Sequence, residues 1–149
     1  MTDNNEQQQL QRAVAEADAS PQDVELQIEA AYSCDRYGDE ADAVRYYDAA
    51  WKLGVPAAHR RKFLVGYGST LRNVGRVDES IEILLGAIAE FPGFAPLTSF
   101  LSLSLYSAGR HREAMTAALS AILEAAADSG SLDRYDRALR YYRDELKAG

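Results

Sequence analysis

Three glycines, Gly38, Gly75 and Gly109, stand in the same surroundings in this chain, and that recurrence constrains its fold more than any other feature. A small residue follows each by five positions (Ala43, Ser80, Ala114) and an alanine by twelve (Ala50, Ala87, Ala121). Another small residue precedes each by seven (Ala31, Gly68, Ser102), and an apolar one by four (Cys34, Leu71, Leu105). From the second copy to the third every mark moves by 34 residues, and from the first to the second by 37. That is the period of a two-helix solenoid repeat, with a three-residue insertion in the first copy. Small residues at fixed offsets let two helices of a hairpin approach closely. The expected fold is therefore all-α: a solenoid of three helical hairpins.

The glycines are expected to end the first helix of each pair in the left-handed conformation that glycine adopts at little steric cost. An acid four residues later (Asp42, Glu79, Glu113) falls in the first turn of the second helix, where the macrodipole favours it. Six residues after each glycine an apolar side chain (Val44, Ile81, Met115) is expected to face the core.

Along the chain, residues 1–20 form a polar amino-terminal segment whose run Asp3 to Gln9 offers nothing to bury and is expected to fray. The spacing of Leu10, Val14 and Ala17 predicts a short helix that docks on the first hairpin. Ser20 and Pro21 read as the N-cap and first position of a helix over 21–37. Its partner over 40–53 should bury Ala43, Val44, Tyr47 and Ala50. Helices over 57–74 and 78–91 make the second hairpin, and helices over 95–108 and 112–127 the third. The repeats thus divide a single domain over 21–149 at about 21–56, 57–94 and 95–130. A closing helix over 131–147 carries Leu132, Tyr135, Leu139, Tyr142 and Leu146 on one stripe, which is expected to cap the exposed end of the solenoid.

Composition limits the function. The chain has 149 residues and a formal charge of −7, which argues against a nucleic-acid partner, since that binding needs clustered Lys and Arg. A single cysteine, Cys34, excludes an internal disulfide and fits a reducing, cytoplasmic setting. No apolar run reaches the length of a membrane span. The two histidines, His59 and His111, have no second ligand at metal-binding spacing, so neither a metal nor another cofactor is expected. His111 reads as a solvated loop residue and Cys34 as a buried thiol. Without a convergent titratable set, the chain is not expected to be an enzyme.

The pattern of Gly68, Gly75, Ser80, Ala87 and Pro92 resembles the tetratricopeptide repeat. The segments Gly68 to Arg76, Gly109 to Ala114 and Arg134 to Tyr142 resemble more narrowly the small bacterial family of group 5 tetratricopeptide proteins. The resemblance implies a right-handed superhelix, a role in protein–protein interaction and a homodimer as a second arrangement; it brings no catalytic residue and no cofactor. The third copy departs from the pattern by lacking the proline, so its second helix is expected to run long.

In such repeats the concave face is lined by the first helix of each pair. The register places there Glu25, Ile28, Tyr32 and Asp35, then Lys62, Val65, Ser69 and Arg72, then Ser99, Leu103 and Tyr106, with Arg76 extending the cationic middle stripe. Relatives that grip a terminal carboxylate use lysine, asparagine and arginine at points that here hold Ile28, Tyr32, Val65, Ser69, Ser99 and Leu103, so that clamp is absent. The expected ligand is an extended protein segment with an acidic group near Lys62 and Arg72 and apolar side chains against Tyr32, Leu103 and Tyr106. The competing expectation is that Lys62 and Arg72 merely solvate the surface or pair with Glu25 and Asp35. A different class of function is self-assembly through Tyr141, the outer helix of the third pair or the closing helix.

Overall fold

A computed structural model describes residues 4–149. The described residues form eight α-helices and one 3-10 turn: α1 (Asn4–Ala19), α2 (Val24–Tyr37), α3 (Glu40–Leu53), α4 (Ala57–Asn73), α5 (Val77–Glu90), α6 (Ala95–Ser107), α7 (His111–Ala126), the turn Asp133–Tyr135 and α8 (Asp136–Ala148). No strand occurs among them. Helices α2/α3, α4/α5 and α6/α7 are the three hairpins. The first helices of successive pairs touch, α2 on α4 and α4 on α6, whereas α3, α5 and α7 do not touch one another. An inner layer of α2, α4 and α6 therefore carries an outer layer of separated helices.

The second and third hairpins turn by the same device. Gly75 and Gly109 have φ of +85° and +75°. The following N–H reaches back to close the helix, Arg76 N to the Leu71 carbonyl at 2.8 Å and Arg110 N to the Leu105 carbonyl at 2.9 Å. Gly38 differs from expectation: its φ is −109°, outside the left-handed region. There Asp39 starts the next helix by accepting a hydrogen bond from Asp42 N at 2.9 Å. Gly38 serves packing instead, since an added Cβ would lie 3.1 Å from the Cys34 carbonyl oxygen.

Two further expectations fail at the amino terminus. The polar run is helical from Asn4 onward, with Asp3 and the residues before it outside the described residues. Ala13 and Ala17 bury against α2, and that contact organises the polar turn preceding them. Helix α2 begins at Val24, not Pro21, because Asp23 is the better cap and accepts from Glu25 N and Leu26 N at 3.0 and 3.2 Å. Ser20 and Pro21 instead form the turn between α1 and α2. Gln27, fully buried, donates to the Ala17 carbonyl at 2.9 Å and satisfies the end of α1.

The small residues at the repeat offsets face inward. Ala43 and Ser80 are fully buried and Ala114 is nearly so. Ser80 Oγ donates to the Gly68 carbonyl at 2.6 Å and lies 2.7 Å from Ser104 Oγ, which joins α4, α5 and α6 through one buried polar seam. Of the three apolar residues expected inside, Ile81 is buried, Val44 is half-buried and Met115 is exposed. Tyr46 takes an inward position that the spacing did not assign.

Met115 stands one period after Ile81, yet it is 54% exposed against 4%. The reason is at the end of the stack. Helix α5 has α6 beyond it, while α7 is followed by α8, which packs on α7 without touching α6. Met115 and Ile122 are left open. Leu139, Arg143 and Leu146 form the half-buried stripe of helix α8, Leu132 is half-buried in the segment that precedes it, and Tyr135 and Tyr142, expected on that stripe, face water.

Candidate interaction site

The inner helices bring together part of the expected binding set. Tyr32 and Asp35 of α2 and Lys62, Val65 and Gly66 of α4 line a cleft of about 430 Å³, whose base is Tyr47 of α3. The Lys62 ammonium stands over the Tyr32 ring, 4.3 Å from its centroid. Burial, with Glu25 and Glu29 nearby, pushes the Tyr32 hydroxyl up to about 12, so it remains a proton donor at neutral pH. That hydroxyl is buried and has no hydrogen-bond partner.

Below the cleft Tyr47 donates to Asp35 at 3.0 Å. Partial desolvation raises the Asp35 carboxyl above its ordinary value, against the lowering effect of this hydrogen bond. The Tyr47 hydroxyl is raised by burial first and by Asp35 second. Gly66 permits the approach, since a Cβ there would collide with the Tyr47 hydroxyl. Sequence spacing passed over Gly66 because it lies off the repeat marks.

The remaining expected residues do not join this cleft. Ile28 is buried in the core, as α1 and α3 close over α2. Arg72, two to three turns along α4 from Lys62, is half-buried, and its Nε has no partner. Val65 and Ser69 are half-buried between these two cations. Ser99, Leu103 and Tyr106 lie exposed along α6, with Ser99 bonded to the Ala95 carbonyl and Tyr106 against the ring of His111 at 4.9 Å. His111 is thus the first residue of α7, not a loop residue. Arg76 does not extend the stripe: it faces the outer layer, paired with Asp48 at 2.7 Å and Glu79 at 2.5 Å.

Neither Lys62 nor Arg72 forms an ion pair among the described residues. Glu25 is taken by His59 at 2.8 Å and Asp35 by Tyr47. Cys34 is buried, and burial pushes its thiol up to about 11, which keeps it protonated and unreactive near neutrality. No three His, Cys, Asp or Glu side chains converge among the described residues, and no helix there is long and apolar enough to cross a membrane.

The repeat geometry has its counterpart in a family comparison: the model described as Tetratrico peptide repeat, the fifth of that name, matches residues 25–146. The chain belongs to the group 5 tetratricopeptide repeat family. Tetratricopeptide repeats generally mediate protein–protein interaction and act as non-catalytic scaffolds. The match begins within α2, so α1 precedes the matched tetratricopeptide region. No curated protein matches this chain.

Proposed function

We propose that the protein binds an extended, acidic segment of another protein along α2, α4 and α6. The observation that carries this reading is that Lys62 and Arg72 on α4 are left unneutralised. In a chain of net charge −7, Lys62 and Arg72 stand about 15 Å apart on the inner layer with no carboxylate bound to either. A carboxylate at Lys62 would also meet the unpartnered Tyr32 hydroxyl, and the exposed Leu103 and Tyr106 would take apolar side chains.

The test is capture of a partner from native cytosol by the wild type, then quantitative binding of that partner to Lys62→Glu and Arg72→Glu. Each reversal should weaken binding about tenfold or more. Equal affinity in all three proteins removes this reading.

A second reading is self-association. Seven large apolar side chains exposed to water fall between Leu103 and Tyr142, among them Met115, Ile122 and Tyr141. Such surface concentrated at one end of a solenoid favours a homodimer joined end to end. Light scattering over a concentration series should then show mass doubling, and Met115→Glu should suppress it. A monomer at every concentration ends this alternative.

A further inference from the structure

The outer layer carries two gaps between neighbouring helices, and they differ in chemistry. Between α3 and α5, Arg76 spans from Glu79 to Asp48, and Tyr67 donates to the same Asp48 at 2.6 Å. That gap is braced by charge. One repeat later Arg110 and Glu113 recur and pair at 2.5 Å, but the station of Asp48 holds Leu85 and that of Tyr67 holds Leu101. No carboxylate reaches across. What remains between α5 and α7 is a trough of about 570 Å³ with Leu85, Ile88, Leu101 and Leu105 among its lining residues. Leu85 is 52% exposed at its rim.

One of the polar groups in its lining is unsatisfied. Glu124, near the end of α7, has a carboxylate oxygen that is buried without a hydrogen-bond partner. Arg112 lies at the start of α7, twelve residues away, or about 18 Å along a helix, and Gly149 at the end of α8 already stands against its guanidinium. A buried acceptor left unpaired is costly, and a donor supplied from outside would relieve it.

We infer that this trough is a second docking site, which receives a basic amphipathic helix of about three turns from a partner protein. Its apolar stripe lies on Leu85, Ile88 and Leu101. A lysine or arginine at one end donates to Glu124. This surface lies on the outer layer and does not depend on the inner-helix reading.

The probe is a synthetic helix-forming peptide of about 14 residues, with leucines at helical spacing and one lysine near an end. Titrated into methyl-labelled full-length protein, it should saturate and shift the methyl resonances of Leu85, Ile88 and Leu101. Glu124→Gln and Leu85→Glu should each weaken binding roughly tenfold. The peptide with its lysine changed to glutamate should bind the wild type more weakly by a similar factor, while Arg72→Glu should bind the original peptide as the wild type does. Thermal melts of the variants establish that they are folded. Absence of saturable binding, shifts confined to other helices, or affinity indifferent to both Glu124→Gln and Leu85→Glu would overturn the assignment. So would self-association that Leu85→Glu abolishes, because the occupant would then be a second copy of this chain.

Discussion

Phe63→Ala is expected to lower the unfolding free energy by about 3–5 kcal/mol, a large part of the roughly 5–15 kcal/mol that a domain possesses. Phe63 is fully buried on α4 and meets three rings from two hairpins. Tyr47 stands edge-on at 5.2 Å, Tyr67 is tilted at 5.5 Å and Trp51 is stacked at 6.4 Å. Because α3 and α5 do not touch, the first hairpin meets the second through α4, and this aromatic cluster lies at the α3/α4 contact. Truncation removes the ring and leaves a hole that the stiff neighbours cannot fill. Trp51 is the only tryptophan, so its fluorescence reports on this junction while circular dichroism reports on all helices. In urea, the wild-type transitions seen by the two probes should coincide, and in Phe63→Ala the midpoint should fall. A loss below about 1 kcal/mol would show that the hairpins are held together elsewhere.

The residues that sequence spacing identified correctly are those whose role is repeated by symmetry. Ala43, Ser80 and Ala114 face inward because every hairpin needs a small residue where two helices cross, so one rule applies to all three. Gly75 and Gly109 are left-handed for the same reason. The failures lie where the symmetry breaks. Gly38 precedes Asp39, whose side chain starts α3 by a different route. Met115 sits where the next inner helix would be, and the chain supplies α8 in another place. The spacing of Leu10, Val14 and Ala17 did reveal that α1 docks on the first hairpin, but not that the helix extends back through the polar run to Asn4.

The candidate site was legible to the same degree. The register put Tyr32, Lys62 and Val65 on facing helices, and the cleft contains all three. It also named Ile28, since helical spacing distinguishes stripes but not which stripe α1 and α3 will cover. Arg76 continues the α4 stripe in number alone, because the chain has turned at Gly75 before reaching it. The trough between α5 and α7 escaped notice for a related reason. Its apolar character comes from replacing Asp48 by Leu85 across repeats, and the contrast acquires meaning once Arg76 is seen to span that gap.

Gly68→Val should destabilise the protein by about 3 kcal/mol. A Cβ at this position would lie 2.6 Å from both Cγ and Cδ2 of Leu84, which is itself fully buried on α5. Leu84 has no direction in which to retreat, so the added bulk must separate α4 from α5. That separation also lengthens the bond from Ser80 to the Gly68 carbonyl and disturbs the contact of Ser80 with Ser104. The damage therefore reaches α6 and the third hairpin. Gly86, on the exposed side of α5, supplies the control: nothing lies within 4 Å of its added Cβ, and alanine there should raise stability by up to about 1 kcal/mol through helix propensity. Opposite signs at two helical glycines of one hairpin, read as shifts in urea midpoint, would establish that close approach and not backbone freedom selects glycine at position 68. If Gly68→Val melted like the wild type, the α4/α5 crossing would have slack that the observed distances deny.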